Sequence, residues 1–247
     1  MQVVFLGTNG WYDTDTGNTI CILLKTEKYY IIFDAGNGIH KIDNYCKTKK
    51  PAYLFLSHFH LDHIVGLHIL NKIKCFEKLY IFGPKGTKNI LKKFINIPFT
   101  MPLSLLPFPV EIHELPAEQN KLPFYAGAKH LLHSSLTLGF RIELNEKVIT
   151  YCPDTGYCKN AVELSKNSDL LIAECAYKSG QNSTKWPHLN PEIAARIAKE
   201  SKAKRLALVH FDAYIYKTLG ERKEAEIIAQ TVFKNTFAAM DDLHIVI

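Results

Sequence analysis

The chain has 247 residues, 47% hydrophobic and 22% charged, the balance of a globular protein with enough apolar surface for a sizeable core rather than of a disordered chain. Thirty Lys and Arg against 24 Asp and Glu leave a formal charge of +6, compatible with an anionic substrate and equally with an ordinary solvated surface. No apolar run reaches membrane-spanning length and Met1 to Gly7 lacks the length and basic flank of an export signal, so a cytoplasmic protein without membrane contact is expected.

In chain order, Gln2 to Leu6 reads as an apolar strand, and Thr19 to Lys25 with Tyr29 to Phe33 as a hairpin turning near Glu27 and Lys28. Asp34 to Gly38 breaks the pattern as a turn does, a helix is expected from Ile39 to Cys46, and Ala52 to Leu56 is a strand running into Ser57 and His58. Ile64, Leu67, His68 and Leu70 recur at helical spacing, Leu79 to Phe82 is a strand and Gly86 to Ile95 a helix. The stretch from Pro98 to Pro123 holds six prolines and reads as irregular loops that shape access to a site. Beyond it come paired strands at Leu136 to Leu144 and Val148 to Tyr151, a buried strand at Leu170 to Ala173, and a helix from Pro191 to Ser201 opened by Asn190. A strand at Arg205 to Val209, a helix from Glu221 to Phe233 and a closing strand at His244 to Ile247 complete the chain.

Strand, loop and helix alternate, with too many strands for one parallel layer, so two sheets covered by outer helices are expected. Neither a linker nor a repeat interrupts residues 1–247, which are read as a single domain. The six cysteines, Cys21, Cys46, Cys75, Cys152, Cys158 and Cys175, form no CxxC pair and read as buried thiols.

The chemistry is concentrated in Ser57-His58-Phe59-His60-Leu61-Asp62-His63, directly after an apolar strand. In an extended segment His58 and His60 face the same side and can share one ion. A turn into helix sends Asp62 and His63 another way, toward a second ion. Imidazole nitrogen with carboxylate oxygen is a ligand set suited to catalytic zinc, with manganese or iron compatible. Further donors must come from distant strand ends, and three stand there: His133 before the strand at Leu136, Asp154 after Tyr151, and His210 after Val209.

HFHLDH, the later His133, PDTG around Asp154 and VHFD around His210 resemble the ordered motifs of the metallo-β-lactamase superfamily. The likeness spans nearly the whole chain. The opening FLGTNG, the Phe33-Asp34-Ala35-Gly36 turn and Gly83-Pro84 narrow it to the ribonuclease Z and phosphodiesterase branch. The resemblance implies a four-layer αβ/βα sandwich. It further implies that His58, His60 and His133 hold one divalent ion, that Asp62, His63 and His210 hold another, and that Asp154 bridges them. His188, in His188-Leu189-Asn190-Pro191, is similar to the residue of that branch that protonates a leaving group or binds the scissile phosphate, and Glu174 to an acid that orients a neighbouring histidine.

A metal-dependent hydrolase is therefore expected, a phosphodiesterase first, in which the two ions share an activated water oriented by Asp62. Ribonuclease Z of the bacterial type carries a long arm that grips tRNA between the counterparts of His133 and Asp154. Here those two stand only 21 positions apart, with almost all of the interval strand, which favours a small cyclic or nucleotide-type phosphodiester or a nucleic-acid-derived end. Hydrolysis of a lactone, thioester or other carboxylic ester, a ribonuclease Z-like RNA end-processing nuclease, and a metal carrier or sensor without turnover are the alternatives, and the sequence leaves room for a homodimer. Cys152 and Cys158 flank Asp154 closely enough to approach the ions, although the ligand set is complete without them.

Overall fold

The computed structural model describes residues 1–247 and arranges them as two sheets with helices on the outer faces. The first sheet comprises β1 (Gln2–Gly7), β3 (Cys21–Lys25), β4 (Tyr30–Phe33), β5 (Lys50–Phe55), β6 (Phe76–Gly83), β7 (Val110–Glu114) and β15 (His244–Val246), in the order β15-β1-β3-β4-β5-β6-β7. The second comprises β8 (Tyr125–His130), β9 (Leu138–Leu144), β10 (Lys147–Cys152), β11 (Leu170–Glu174), β12 (Leu206–Val209) and β14 (Thr236–Ala238), in the order β14-β12-β11-β10-β9-β8. A short parallel ribbon joins β2 (Asn9–Gly10) to β13 (Phe211–Asp212). The helices are α1 (Ile42–Tyr45), α2 (Leu61–Ile64), α3 (Thr87–Phe94), α4 (Lys159–Leu164), α5 (Pro191–Glu200) and α6 (Leu219–Val232).

Side-chain alternation along the strands builds the layers. Val3 and Phe5 of β1 join Phe33, Phe55, Phe140 and Tyr151 in the core between the sheets. Val4 and Leu6, on the opposite face of the same strand, pack with Ile32, Leu54 and Ile81 against Leu67 and Leu91 of the outer helical segments. A third core sets Leu171, Leu206 and Leu208 against alanines of α4, α5 and α6, whose small side chains let the helices lie close to the sheet. The sequence of layers is helix, sheet, sheet, helix, the expected αβ/βα sandwich.

Three local expectations are corrected. The helix expected from Ile39 to Cys46 is a 3-10 turn, Asn37–Lys41, followed by the single turn of α1. After the histidine cluster α2 passes into a 3-10 segment, Val65–Lys72, where Gly66 lies so close to the backbone that an added Cβ would come within 2.2 Å of the Gly36 carbonyl oxygen. The Pro-rich middle contains β7 and leads into β8, both at sheet edges, where half-exposed faces carry polar residues that weaken the alternation. β9 and β10 are joined at Leu144 and Lys147 by two residues, Asn145 and Glu146, both left-handed (φ 52° and 60°), a tight type I′ turn with no arm between them.

The topology fixes where donors can meet. β4 and β5 run parallel, as do β10, β11 and β12, and antiparallel β9 begins where β10 ends. Asp34 follows β4, His58 follows β5, Asp154 follows β10 and His210 follows β12, while Glu174 closes β11 and His133 precedes β9. All six converge at one end of the sandwich, where side chains beyond the carboxyl ends of strands face a shared crevice.

Candidate metal centre

Two groups of donors lie within 4.8 Å of one another at that end: His58, His60, His133 and Asp154 in one, and Asp62, His63 and His210 in the other. Asp154 links them. Its Oδ2 lies 3.8 Å from His58 Nε2 and 3.7 Å from His133 Nε2, and its Oδ1 lies 3.2 Å from His63 Nε2 and 3.1 Å from His210 Nε2. Asp62 Oδ2 completes the second group at 3.2 Å from His210 Nε2 and 3.6 Å from His63 Nε2.

These spacings fit a cation. Ligand atoms about 2.0–2.1 Å from a tetrahedral zinc stand ~3.4 Å apart, in the middle of the observed range. The protonation pattern fits as well. His63 Nδ1 donates to Asp34 Oδ2 at 2.8 Å, and His133 Nδ1 donates to the Pro187 carbonyl at 3.3 Å, so in either ring it is Nε2 that gives up its proton to a cation and presents a lone pair inward. Ser57 Oγ donates to Asp34 Oδ2 at 2.8 Å and accepts from His58 Nδ1 at 2.9 Å, which leaves His58 Nε2 enclosed and unpartnered. His63 Nε2 and His210 Nε2 stand 3.1 Å apart, so close that either a proton on one of them or a cation beside both must separate their lone pairs. Buried Asp154 Oδ1 likewise meets no hydrogen-bond donor, and the chemistry of the whole set is that of a divalent-metal site.

Electrostatics without an ion show the same demand for positive charge. Burial, reinforced by the His63 charge, holds His58 well below the usual imidazole range. Burial opposes charge on His63 too, but Asp154, Asp62 and Asp34 outweigh it and raise the ring. His210 is raised against its burial by Asp154 and Asp62. For Asp62 and Asp154, burial disfavours ionisation and the facing histidines overcome it, so both carboxylates stay well below their ordinary range.

His188 adjoins this cluster, grouped with Asp154 and His210. Glu174 accepts its Nδ1–H at 2.7 Å and is itself fixed by the backbone N–H groups of Thr155 and Ala176, each at 2.9 Å. Burial works against charge on His188, yet the Glu174 carboxylate prevails and pushes it up to about 9. Asn190, two residues on, caps α5 by accepting from Ile193 N, and so fixes the loop that carries His188.

All seven candidate ligands, with His188 and Glu174, are thus brought together. Cys152 is buried beside Ser165 and Cys158 lies near Thr155, and neither joins a donor group. Burial pushes the Cys152 thiol up to about 12, away from the thiolate a metal takes. His40, His68, His113, His130 and His244 also lie outside the groups. Sequence reasoning missed the role of Asp34, which had the same signal as the ligands, an acid directly after a buried strand. It is fully buried with φ 54°, and accepts from Ser57 N, Ser57 Oγ, His63 Nδ1 and Tyr151 OH. Sequence reasoning also missed Gly10, where a Cβ would come within 2.5 Å of His210 Cε1, and the tryptophans Trp11 and Trp186 beside the ligands.

A family model described as a beta-lactamase superfamily domain matches residues 29–211, which span the histidine cluster, His133, Asp154 and His210. The chain belongs to that superfamily. Within it, the chain is similar to ribonuclease Z of Pyrococcus abyssi, 28% identical with 85% of this chain and 86% of the relative covered. It is also similar to ribonuclease Z of Bacillus velezensis, 24% identical with 100% and 99% covered. That second alignment runs over 313 positions against a chain of 247 residues, so the relative carries segments without counterpart here. The metallo-β-lactamase fold protein YhfI of Bacillus subtilis superposes with a TM-score of 0.80 at 23% identity, covering 99% of this chain and 98% of its own. This superfamily member is thus shorter than the ribonuclease Z it matches over nearly its whole length.

Proposed function

We propose that the chain is a metal-dependent phosphodiesterase acting on a small or nucleotide-type phosphodiester. The observation that carries this reading is the placement of Asp154, with one oxygen toward His58 and His133 and the other toward His63 and His210. His58, His60 and His133 would hold one ion, Asp62, His63 and His210 the other, and Asp154 both; the nitrogen-rich set favours zinc, with manganese or iron compatible. When bound, such ions supply Lewis acidity to a phosphoryl oxygen and bring a water's pKa toward neutrality.

The chain's own residues do the rest. Asp62 Oδ2 already accepts the Trp11 backbone N–H at 2.8 Å, and a carboxylate so held accepts from the attacking water and keeps it oriented. His188, kept protonated by Glu174 and enclosed beside Asp154, carries a proton for the departing oxygen, a role worth ~10²–10⁴ in rate.

The names of the relatives favour a second reading, RNA end processing. Against it stands the two-residue turn between β9 and β10, which leaves no element there to grip a folded RNA. One experiment separates the possibilities: turnover of bis(p-nitrophenyl) phosphate, of a thioester, and of a precursor tRNA with a 3′ trailer, each with zinc or manganese and in chelator. Metal-dependent cleavage of the diester, abolished together with metal content by Asp154→Ala, supports the proposal. Cleavage of the thioester alone makes the protein an acyl hydrolase, and no turnover with metal bound makes it a carrier.

A further inference from the structure

Beside the donor groups lies a cavity of about 310 Å³, at the small end for a ligand site and of a size for one nucleotide rather than a strand. Apart from candidate ligands and His188 it is lined by Trp11, Trp186 and Leu61. The chain has two tryptophans, and both are here. Trp186 lies nearly parallel on His60, with centroids 5.5 Å apart at 10°, and meets His133 edge-on at 5.5 Å. Trp11 lies against Trp186 at 6.0 Å and 29°, so an aromatic run leads from a candidate ligand out to the mouth.

Folding alone does not account for this wall. Trp11 is 56% exposed and adopts φ 71°, a left-handed conformation that costs a bulky residue ~1–3 kcal/mol and is retained mostly at functional sites. Its position is imposed by the N–H bond to Asp62 and by Asn9, whose side chain donates to the carbonyls of Tyr12 and Gly17. Trp186 is fixed by Tyr177 OH on its carbonyl and by Ser183 Oγ on its N–H. Its Nε1–H is enclosed and meets no acceptor. Neither lysine nor arginine lines the cavity, so one phosphodiester charge is matched by the candidate metal centre and further phosphates find no partner.

Resting on the phosphodiesterase reading, we propose that Trp11 and Trp186 determine specificity, forming a wall on which a flat ring system attached to the scissile phosphodiester, a nucleobase, is stacked. At 6.0 Å the indoles leave no slot between them, and Trp186 lies between His60 and Trp11, so the base docks on the exposed Trp11 indole, which Trp186 backs and holds in place. Stacking of this kind is tolerant of base identity, which makes the substrate class a nucleotide ester rather than one named nucleotide.

Because both tryptophans belong to the wall, indole fluorescence reports on it directly. Zinc-loaded protein titrated with adenosine 5′-monophosphate is expected to lose fluorescence saturably, whereas ribose 5-phosphate leaves it unchanged. Turnover is read on thymidine 5′-(p-nitrophenyl phosphate) against methyl p-nitrophenyl phosphate, which share a leaving group. The ratio of kcat/KM favours the thymidine ester, and Trp11→Leu and Trp186→Leu each shrink it about tenfold through KM, with Trp→Phe recovering most of the preference. Equal loss on both esters, or equal quenching by ribose 5-phosphate, overturns the wall. Quenching by the nucleotide with neither ester cleaved overturns hydrolysis and leaves the wall standing; cleavage of both esters at equal rates without quenching does the reverse.

Discussion

Replacing Asp34 by asparagine keeps the size of the side chain and removes one charge from a site where the carboxylate accepts four hydrogen bonds. Oδ1 takes Ser57 N at 2.7 Å, and Oδ2 takes Ser57 Oγ at 2.8 Å, His63 Nδ1 at 2.8 Å and Tyr151 OH at 2.7 Å. An amide serves this set badly. With its oxygen in the crowded position its NH2 confronts the Ser57 N–H, and the three remaining donors exchange a charged acceptor, ~1.5–3 kcal/mol per bond, for a neutral one at ~0.5–1.5. Since His63 is held directly and His58 through Ser57, rings of both donor groups lose basicity and aim together. The expected result is a 10- to 100-fold weaker zinc affinity, about 1.4–2.7 kcal/mol, measured by competition with a chromogenic chelator. Tyr151→Phe removes one donor and leaves the carboxylate in place, so its effect should be several-fold smaller. An Asp34→Asn protein with an unchanged circular dichroism spectrum and a zinc dissociation constant within threefold of the parent would refute the reasoning.

Four further outcomes are expected. Gly10→Ala drives a methyl group into His210, 2.5 Å from Cε1, and should lower bound metal by about one ion per chain in elemental analysis while circular dichroism stays native. His188→Asn should slow diesters with an alkoxide leaving group by ~10²–10⁴ and those releasing p-nitrophenolate far less, because only the former need a proton; equal losses would argue against proton donation. Phe33→Ala opens a cavity between the sheets where Phe33 stacks on Tyr151 at 5.0 Å, and should cost about 3–5 kcal/mol, read as a melting temperature roughly 10 °C lower or more. Thr218→Ala breaks the capping box with Glu221 at the start of α6 and should cost about 1 kcal/mol in urea unfolding without altering turnover.

Much of the site was legible because its residues obey one local rule. His58, Asp154 and His210 each follow a buried apolar strand, and a polar side chain in that position stands over a shared crevice whatever the loop does next. The fold was legible where the period was clear, as in β1, β5, β11 and the capped start of α5. It was obscure where tertiary contacts rather than pattern matter: the 3-10 segment begins where Gly66 packs on Gly36, and β7 and β8 are edge strands whose exposed faces dilute the alternation. Trp11 and Trp186 could not be found by pattern at all. Their meaning depends on two loops, 175 residues apart in the chain, meeting over His60, and nothing local in either loop announces the other.

The hairpin tip at Asn145 and Glu146 has a bearing on how such a protein can be reshaped. A two-residue reversal at the surface is a point where chain can be spliced in without disturbing either neighbouring strand, since the ladder on both sides is already closed from Leu144 to Lys147. Grafting a long segment there would enlarge what the enzyme can grasp while leaving the donors at the strand ends untouched, and trimming one away would do the opposite. Substrate size can therefore evolve separately from the chemistry.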